Sequence, residues 1–510
     1  MKKDFLWMLA TILLCSLSTI SCTSIEDNPV VPVVPEEPAD STLVPGDIDE
    51  FADMPGNAGD PAVVAALQSI ENIEDLKPFM NQNLGQAYYF NYKQLVDHDD
   101  PSQGTFKQQV VLTFVGKDAN TILHTEGYAL AGDFNYNRNR MDKIGAPHLL
   151  WALSENYGQE KFNLNCVQVE YRYHGFSLPE GDKNSFMYLN AWQQSQDLHA
   201  IVTDLKKALI TGNGKWLSTG LSKNGVTTAQ YAYYDEQYGW NDIDVYVPFA
   251  APFPPQAADL RIGTYMITES SKAVLPALEK AYRKLVDDQA IANATVAAFA
   301  NNLKEDDNDS MPADSAFLYT LNKLMKNLFS VMSYGDIDTW SKFIPTEKST
   351  PEEYADFFML NDKDDRIFRK SAAVRGPLAS RDDPFYEQTD IDQGNLGYDY
   401  KWYLDGKLLS DSDKKYFMAT MDYDKKSKQI DLQIALMKNL ETTKKKLIFV
   451  YGENDPWTGA AIPDPTNPNV KKYIVPNGTH TDDLNQYAWY PGGKEVADKI
   501  INDIKAIMNP

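Results

Sequence analysis

Lys215-Trp-Leu-Ser-Thr219 runs straight into Gly220-Leu-Ser-Lys-Asn-Gly225, and the stretch beyond, as far as Tyr238, reads as a helix. A short apolar run, a tight turn of small residues and then a helix is the arrangement that lifts a serine hydroxyl clear of a sheet edge on a strained backbone. Ser222 is therefore the candidate nucleophile. Where this turn usually has glycine two places after the serine, the chain has Asn224, with Gly225 one place further on. Asparagine tolerates unusual backbone angles better than most side chains.

Working outward, strand and helix alternate. Phe106–Val115 and Thr121–Thr125 have strand character, Pro147–Tyr157 is helical in pattern, and Asn163–Arg172 reads as a buried strand. Ala191–Ile210 follows with Trp192, Leu198, Val202, Leu205 and Leu209 on roughly one face. Ile243–Phe249 is another strand. Such alternation is the mark of βαβ units and hence of a mainly parallel sheet. It breaks over the middle of the chain, where segments such as Ala273–Asp287 and Phe317–Met332 repeat apolar residues at helical spacing. Strands resume at Lys446–Tyr451 and Lys471–Val475, and Glu495–Met508 closes with a helix. Before Phe106, a helical lead-in is expected over Ala62–Leu76.

The expected class is α/β, an α/β-hydrolase with a mainly parallel sheet and a large inserted helical cap. Its catalytic domain comprises residues 61–260 and 441–510, with the cap over 261–440.

The chain's beginning is of another kind. Lys2 and Lys3, the apolar run Phe5–Leu17 and small residues up to Cys22 read as a signal peptide over residues 1–21. Leu17-Ser-Thr-Ile-Ser-Cys22 resembles a bacterial lipobox, which makes Cys22 the candidate lipidation site. Residues 22–60, with ten acidic side chains, no lysine or arginine, and prolines from Pro29 to Pro55, cannot build a core and repel themselves into a stalk. An exported, membrane-anchored protein is expected, touching the membrane only through lipid, on the periplasmic or outer face.

With 43% hydrophobic residues and 29 tyrosines over its whole length, the chain is built to fold. A net charge of −24, from 48 basic and 72 acidic residues, argues against a nucleic-acid partner. Cys166 lies in a strand-like run and is expected as a small core residue. No cysteine–histidine cluster has metal-ligand spacing, so neither a metal nor a cofactor is expected.

A serine needs a base, and in this fold acid and histidine follow the nucleophile along the chain. Of six histidines only His480 follows Ser222, in the polar loop Val475-Pro-Asn-Gly-Thr-His480 directly after a strand. The acid that orients the imidazole belongs on the loop after the preceding strand. There, Gly452-Glu-Asn-Asp455-Pro-Trp457 offers Asp455, preferred to Glu453 because Pro456 and Trp457 would fix the turn behind it. An oxyanion hole needs two backbone N–H groups. Lys223, heading the helix, supplies one. Glu126-Gly127-Tyr128 is the candidate loop for the other, with Tyr128 as donor.

Three stretches carry a resemblance: Thr219–Gly225, Glu170-Tyr-Arg-Tyr-His-Gly-Phe-Ser177 with Leu178 and Pro179, and Gly452–Trp457. They are similar to the prolyl tripeptidyl aminopeptidase family of serine peptidases, related to lysosomal Pro-Xaa carboxypeptidase and dipeptidyl peptidase. Tyr171, where the family usually has histidine, and Asn224 depart from it. The resemblance implies a capped α/β-hydrolase that removes short peptides from free N-termini, often after proline. Carried over by position, it makes Ser222, Asp455 and His480 the catalytic triad and peptides the substrates. An exopeptidase must also hold the substrate ammonium with a carboxylate. Glu126 is the candidate, with Glu170 and Glu453 in reserve. Two other readings stand beside this one: an esterase or lipase on the same scaffold, and a catalytically silent binding lipoprotein.

Overall fold

The computed structural model describes residues 57–81, 83–125, 130, 148–154, 163–179, 188–253, 261, 265, 269, 275–304, 344–358, 430–480 and 482–509. The signal peptide, Cys22 and most of the stalk lie outside these, as do Glu126–Tyr128 and Phe317–Met332.

Among the described residues nine strands form one sheet: β1 (Ile73–Asn81), β2 (Gly85–Leu95), β3 (Thr105–Thr113), β4 (Thr121–Thr125), β5 (Asn165–Val169), β6 (Trp216–Leu221), β7 (Val245–Phe249), β8 (Lys446–Gly452) and β9 (Val470–Val475). Their spatial order is β1-β2-β3-β5-β4-β6-β7-β8-β9. The first three pairings are antiparallel and the five from β5 to β9 are parallel. This is an α/β-hydrolase sheet with an antiparallel edge, and its helices cover both faces. Period-two alternation explains why. Trp216, Tyr246, Leu447, Phe449 and Tyr451 face one core, while Leu217, Val245, Val247, Ile448 and Val450 face the other.

On the first face lie α1 (Pro61–Gln68), α3 (Ala191–Ala208) and α4 (Lys223–Tyr238). The second carries α2 (His148–Leu153), α9 (Leu484–Tyr487) and α10 (Gly493–Met508). Local chemistry sets their ends. Asp60 caps α1 ahead of Pro61, Asn190 caps α3 by accepting from the Gln193 N–H, and Gly239, at φ 68°, terminates α4 in the left-handed region. Cys166 is buried on β5, as expected of a core residue.

Three boundaries differ from expectation. The helical lead-in stops at Gln68, because the apolar spacing of Val63, Leu67, Ile70, Ile73 and Leu76 continues through a turn into β1, all five residues packing on one core. β1 and β2 were not anticipated at all. β1 is an edge strand interrupted by Pro78, by a register shift between Glu74 and Lys77, and by Asp75 at φ 53°. Those features erase the alternation by which a strand is recognised, and they blunt the edge against pairing with another chain.

Second, residues 57–60 belong to the folded domain. Asn57 donates to Gln86, the Asp60 N–H donates to the Tyr88 hydroxyl, and Gly59, at φ 62°, lies where a Cβ would meet Pro78 at 2.8 Å.

Third, α8 (Ile430–Leu440) packs Leu436 and Leu440 into the core beside α4, so the catalytic domain resumes about ten residues before the expected 441. Glu236 on α4 accepts from the Asn439 amide, the Thr443 hydroxyl and the Lys444 N–H, fastening that return. Within the insertion, α5 (Leu275–Asp287), α6 (Gln289–Lys304) and α7 (Pro351–Phe358) bury Ala281, Leu285, Ile291, Tyr354 and Phe358. The insertion thus separates β7 from β8, two strands that lie side by side.

Candidate active site

Ser222, Asp455 and His480 follow β6, β8 and β9 respectively, at the carboxyl ends of parallel strands, where open α/β sheets place their chemistry. Ser222 stands at φ 59° and ψ −121°, a conformation a non-glycine residue adopts only when its surroundings impose it. Those surroundings are visible. The Ser222 N–H donates to the Phe249 carbonyl at 2.9 Å, and its own carbonyl accepts from the Val226 N–H at 3.1 Å. Gly220 is required because a Cβ there would meet the Asn224 Cβ at 2.4 Å, and Gly225 because one would meet the Phe249 carbonyl oxygen at 2.4 Å. Asn224 is buried, and its Oδ1 has no hydrogen-bond partner among the described residues.

The acid loop is built around its carboxylate. Asp455 caps the short 3-10 turn Pro456–Ala460, its Oδ1 accepting from the Trp457 N–H at 2.9 Å. Its Oδ2 lies 2.8 Å from His480 Nδ1. Asp455 is wholly buried and His480 nearly so. A carboxylate on Nδ1 fixes the tautomer with the proton there, which leaves Nε2 as the basic nitrogen. The two loops are laced together. The Asn454 N–H donates to the Gly478 carbonyl, the Asn454 amide to the Asn477 carbonyl, and the Asn477 N–H to Glu453 Oε2 at 3.0 Å. The Tyr265 hydroxyl donates to the Glu453 carbonyl at 3.1 Å; burial, aided by the charges of Asp455 and Glu453, pushes that phenol well above its ordinary range.

Two residues of this site escaped the sequence reading. Thr458 donates its hydroxyl to the Gly452 carbonyl at 2.6 Å, closing the acid loop. Asp482 accepts from the Thr479 N–H at 2.6 Å and from the Tyr490 hydroxyl at 3.0 Å, so it holds the backbone that carries His480. Burial raises the Asp482 carboxyl above its ordinary range, against the pull of those hydrogen bonds. A carboxylate two places after the candidate base, preceded by threonine, was the available signal.

Of the reserve acids, Glu170 is corrected. Its Oε1 accepts from the Leu130 N–H, and its Oε2 from the Phe176 N–H, the Ser177 N–H and the Ser177 hydroxyl, at 2.7 to 3.0 Å. It is buried, and Gly175, at φ 53°, is needed because a Cβ there would meet Oε1 at 2.1 Å. A carboxylate so occupied organises its loop and does not receive a substrate ammonium. Glu453, half-buried, accepts from the Asn477 N–H through Oε2. Glu126 and Tyr128 lie outside the described residues.

Lys223 is also buried. Its ammonium lies over the ring of Tyr171 at 3.8 Å from the centroid. Behind Tyr171, the neighbouring Arg172 is fully buried and forks onto both Asp197 oxygens at 2.8 and 2.7 Å, with His98 Nε2 2.8 Å from the same carboxylate. Among the described residues no group of histidine, cysteine and acidic side chains is arranged to hold a metal ion.

Residues 63–259 match the family model of the PS-10 peptidase S37 family. The chain is 23% identical over 432 residues to the prolyl tri/tetrapeptidyl aminopeptidase of Streptomyces mobaraensis, covering 82% of this chain and 81% of that one. Among solved structures it is similar to a proline iminopeptidase of Mycobacterium smegmatis, with 10% identity, a TM-score of 0.32 and coverage of 82% of this chain and 98% of the other. It is likewise similar to a peroxisomal α/β-hydrolase of Saccharomyces cerevisiae, with 10% identity, a TM-score of 0.37 and coverage of 84% and 91%.

Proposed function

We propose that this chain, whose residues 63–259 match the PS-10 peptidase S37 family model, is an exported exopeptidase that releases di- or tripeptides from free N-termini, with proline preferred before the cleaved bond. The observation that carries the chemistry is the 2.8 Å contact of buried Asp455 with His480 Nδ1, on the same sheet end as the strained Ser222. In this reading His480 Nε2 takes the Ser222 proton as Oγ attacks the scissile carbonyl. The tetrahedral oxyanion is met by the Lys223 N–H at the head of α4, where the helix dipole also favours negative charge, and by a second N–H from the loop after β4. His480 then returns the proton to the leaving amine, and water hydrolyses the acyl-Ser222 ester by the same route.

Chain-end selectivity requires a carboxylate for the substrate ammonium, and Glu126, next after β4 in the sequence, is the residue proposed for it. The lipobox-like segment supports attachment through lipid on Cys22, the acidic stalk standing between membrane and enzyme.

A fluorophosphonate probe should label the wild type and leave Ser222→Ala unlabelled; equal labelling of both would remove Ser222 from the mechanism. Free-amine X-Pro or X-X-Pro chromogenic amides should be cut and their N-acetylated forms spared. Equal cleavage of both forms would rule out exopeptidase action, and cleavage of acyl esters alone would make the protein an esterase. Cys22→Ala should move the protein from the detergent-rich to the aqueous phase.

A further inference from the structure

Lys223 occupies the first position of α4, immediately after the candidate nucleophile, and only 9% of it is exposed. Both facts run against ordinary electrostatics. A helix N-terminus disfavours a cation, and burial disfavours any charge. An ammonium placed under both penalties needs compensating contacts, and one of them is visible. The aromatic face of Tyr171 lies 3.8 Å beneath the ammonium, well inside the range in which a ring quadrupole attracts a cation.

The ring itself cannot drift. Tyr171 is fully buried, packs with Tyr173 and Leu189, and meets His174 edge-on at 5.6 Å between centroids. Glu170 on one side is tied into its loop by four hydrogen bonds, and Arg172 on the other is clamped to Asp197. A side chain pinned between two such anchors is a fixed platform.

We propose that Lys223, positioned by the Tyr171 ring, supplies a permanent positive potential beside Ser222 that stabilises the anionic tetrahedral intermediate, and that Tyr171 is a positioning residue for this cation. The inference rests on Ser222 being the nucleophile. It adds a side-chain charge to the backbone donors of the oxyanion hole. A fixed charge in a water-poor site acts without reorganising as the oxyanion forms. No bond to Lys223 forms or breaks.

The experiment is the second-order rate of fluorophosphonate labelling, whose phosphoryl oxygen also takes up negative charge, measured alongside kcat and KM on an X-X-Pro chromogenic amide. Melting temperature is followed for every variant. Lys223→Met should slow labelling and lower kcat by roughly tenfold or more, with KM little changed. Tyr171→Leu should show most of that loss, whereas Tyr171→Phe, which keeps the aromatic face, should lose far less. In Lys223→Met, adding Tyr171→Leu should cost little more, because the ring then has no cation to place. Lys223→Arg should recover part of the rate.

Wild-type labelling with an unchanged rate in Lys223→Met would overturn the inference while leaving Ser222 as the nucleophile. So would equal loss in Tyr171→Phe and Tyr171→Leu. A loss confined to KM, and only for substrates with a free C-terminal carboxylate, would make Lys223 a substrate anchor and likewise overturn it. If Tyr171→Leu does not fold, the comparison of Lys223→Met, Lys223→Arg and Tyr171→Phe decides. Failure of the wild type itself to label would instead defeat the Ser222 assignment.

Discussion

Asp455 divides its two oxygens between its own loop and the neighbouring one: Oδ1 receives the Trp457 N–H, and Oδ2 meets His480 Nδ1 at 2.8 Å. One side chain therefore shapes the turn in which it sits and aims the imidazole on the next strand's exit. Asp455→Asn keeps the shape and changes the proton. The amide can present N–H to Nδ1 and so stabilise the wrong tautomer. The expected result is a loss in kcat of about four orders of magnitude with a folded protein, checked by steady-state kinetics and circular dichroism. Retention of a tenth of the wild-type kcat would exclude Asp455 as the orienting acid.

Gly220→Ala should be destabilising and inactive together. Its Cβ would fall 2.4 Å from the Asn224 Cβ and 2.7 Å from the Asn224 carbonyl, contacts relieved only by moving the turn that carries Ser222. The overpacking is expected to cost about 1–3 kcal/mol. A lowered melting temperature and loss of fluorophosphonate labelling are the measurements.

Asp197→Ala removes the only carboxylate hydrogen-bonded to the buried Arg172 among the described residues. An uncompensated buried charge costs about 3–5 kcal/mol. A steep drop in melting temperature or in soluble yield is expected, much larger than for His98→Ala, which leaves the Arg172–Asp197 pair intact.

Asp482 carries a pH signature. Its folded-state pKa is raised by burial, so the folded protein binds a proton there more tightly than the unfolded chain does. Its contribution to stability is therefore full below the ordinary value of about 3.8 and is lost as pH rises through the higher folded value. In Asp482→Asn that dependence disappears. The wild-type melting temperature minus that of Asp482→Asn should fall as pH rises through this window. A difference that does not change with pH would refute the reading.

Much of this was legible in the sequence because it is local or ordered. The segment Lys215–Gly225 contains its own strand, turn and helix start, and the order of Ser222, Asp455 and His480 along the chain restricts the histidine to one. What could not be read depends on distant partners. Glu170 looked available for a ligand because the sequence does not show that its own loop folds back, bringing Phe176 and Ser177 onto its carboxylate together with the remote Leu130. The Lys223–Tyr171 contact joins residues some fifty places apart through β5 and β6 packing beside β4. The β1–β2 hairpin was hidden because an edge strand with Pro78 and a register shift lacks a strand's alternation. The end of the insertion was misplaced because α8 has a helical pattern whether it packs on a cap or on α4.

The adjacency of β7 and β8 has a consequence for when the protein can act. Roughly two hundred residues must be synthesised between those strands, and bringing such remote segments together is among the slow, entropically costly steps of assembly. Ser222 leaves the ribosome roughly two hundred residues before Asp455 and His480. A nascent chain at that stage carries the candidate nucleophile without its candidate base, His480. On the proposed assignment, Asp455 and His480 reach Ser222 only once β8 and β9 have docked beside β7.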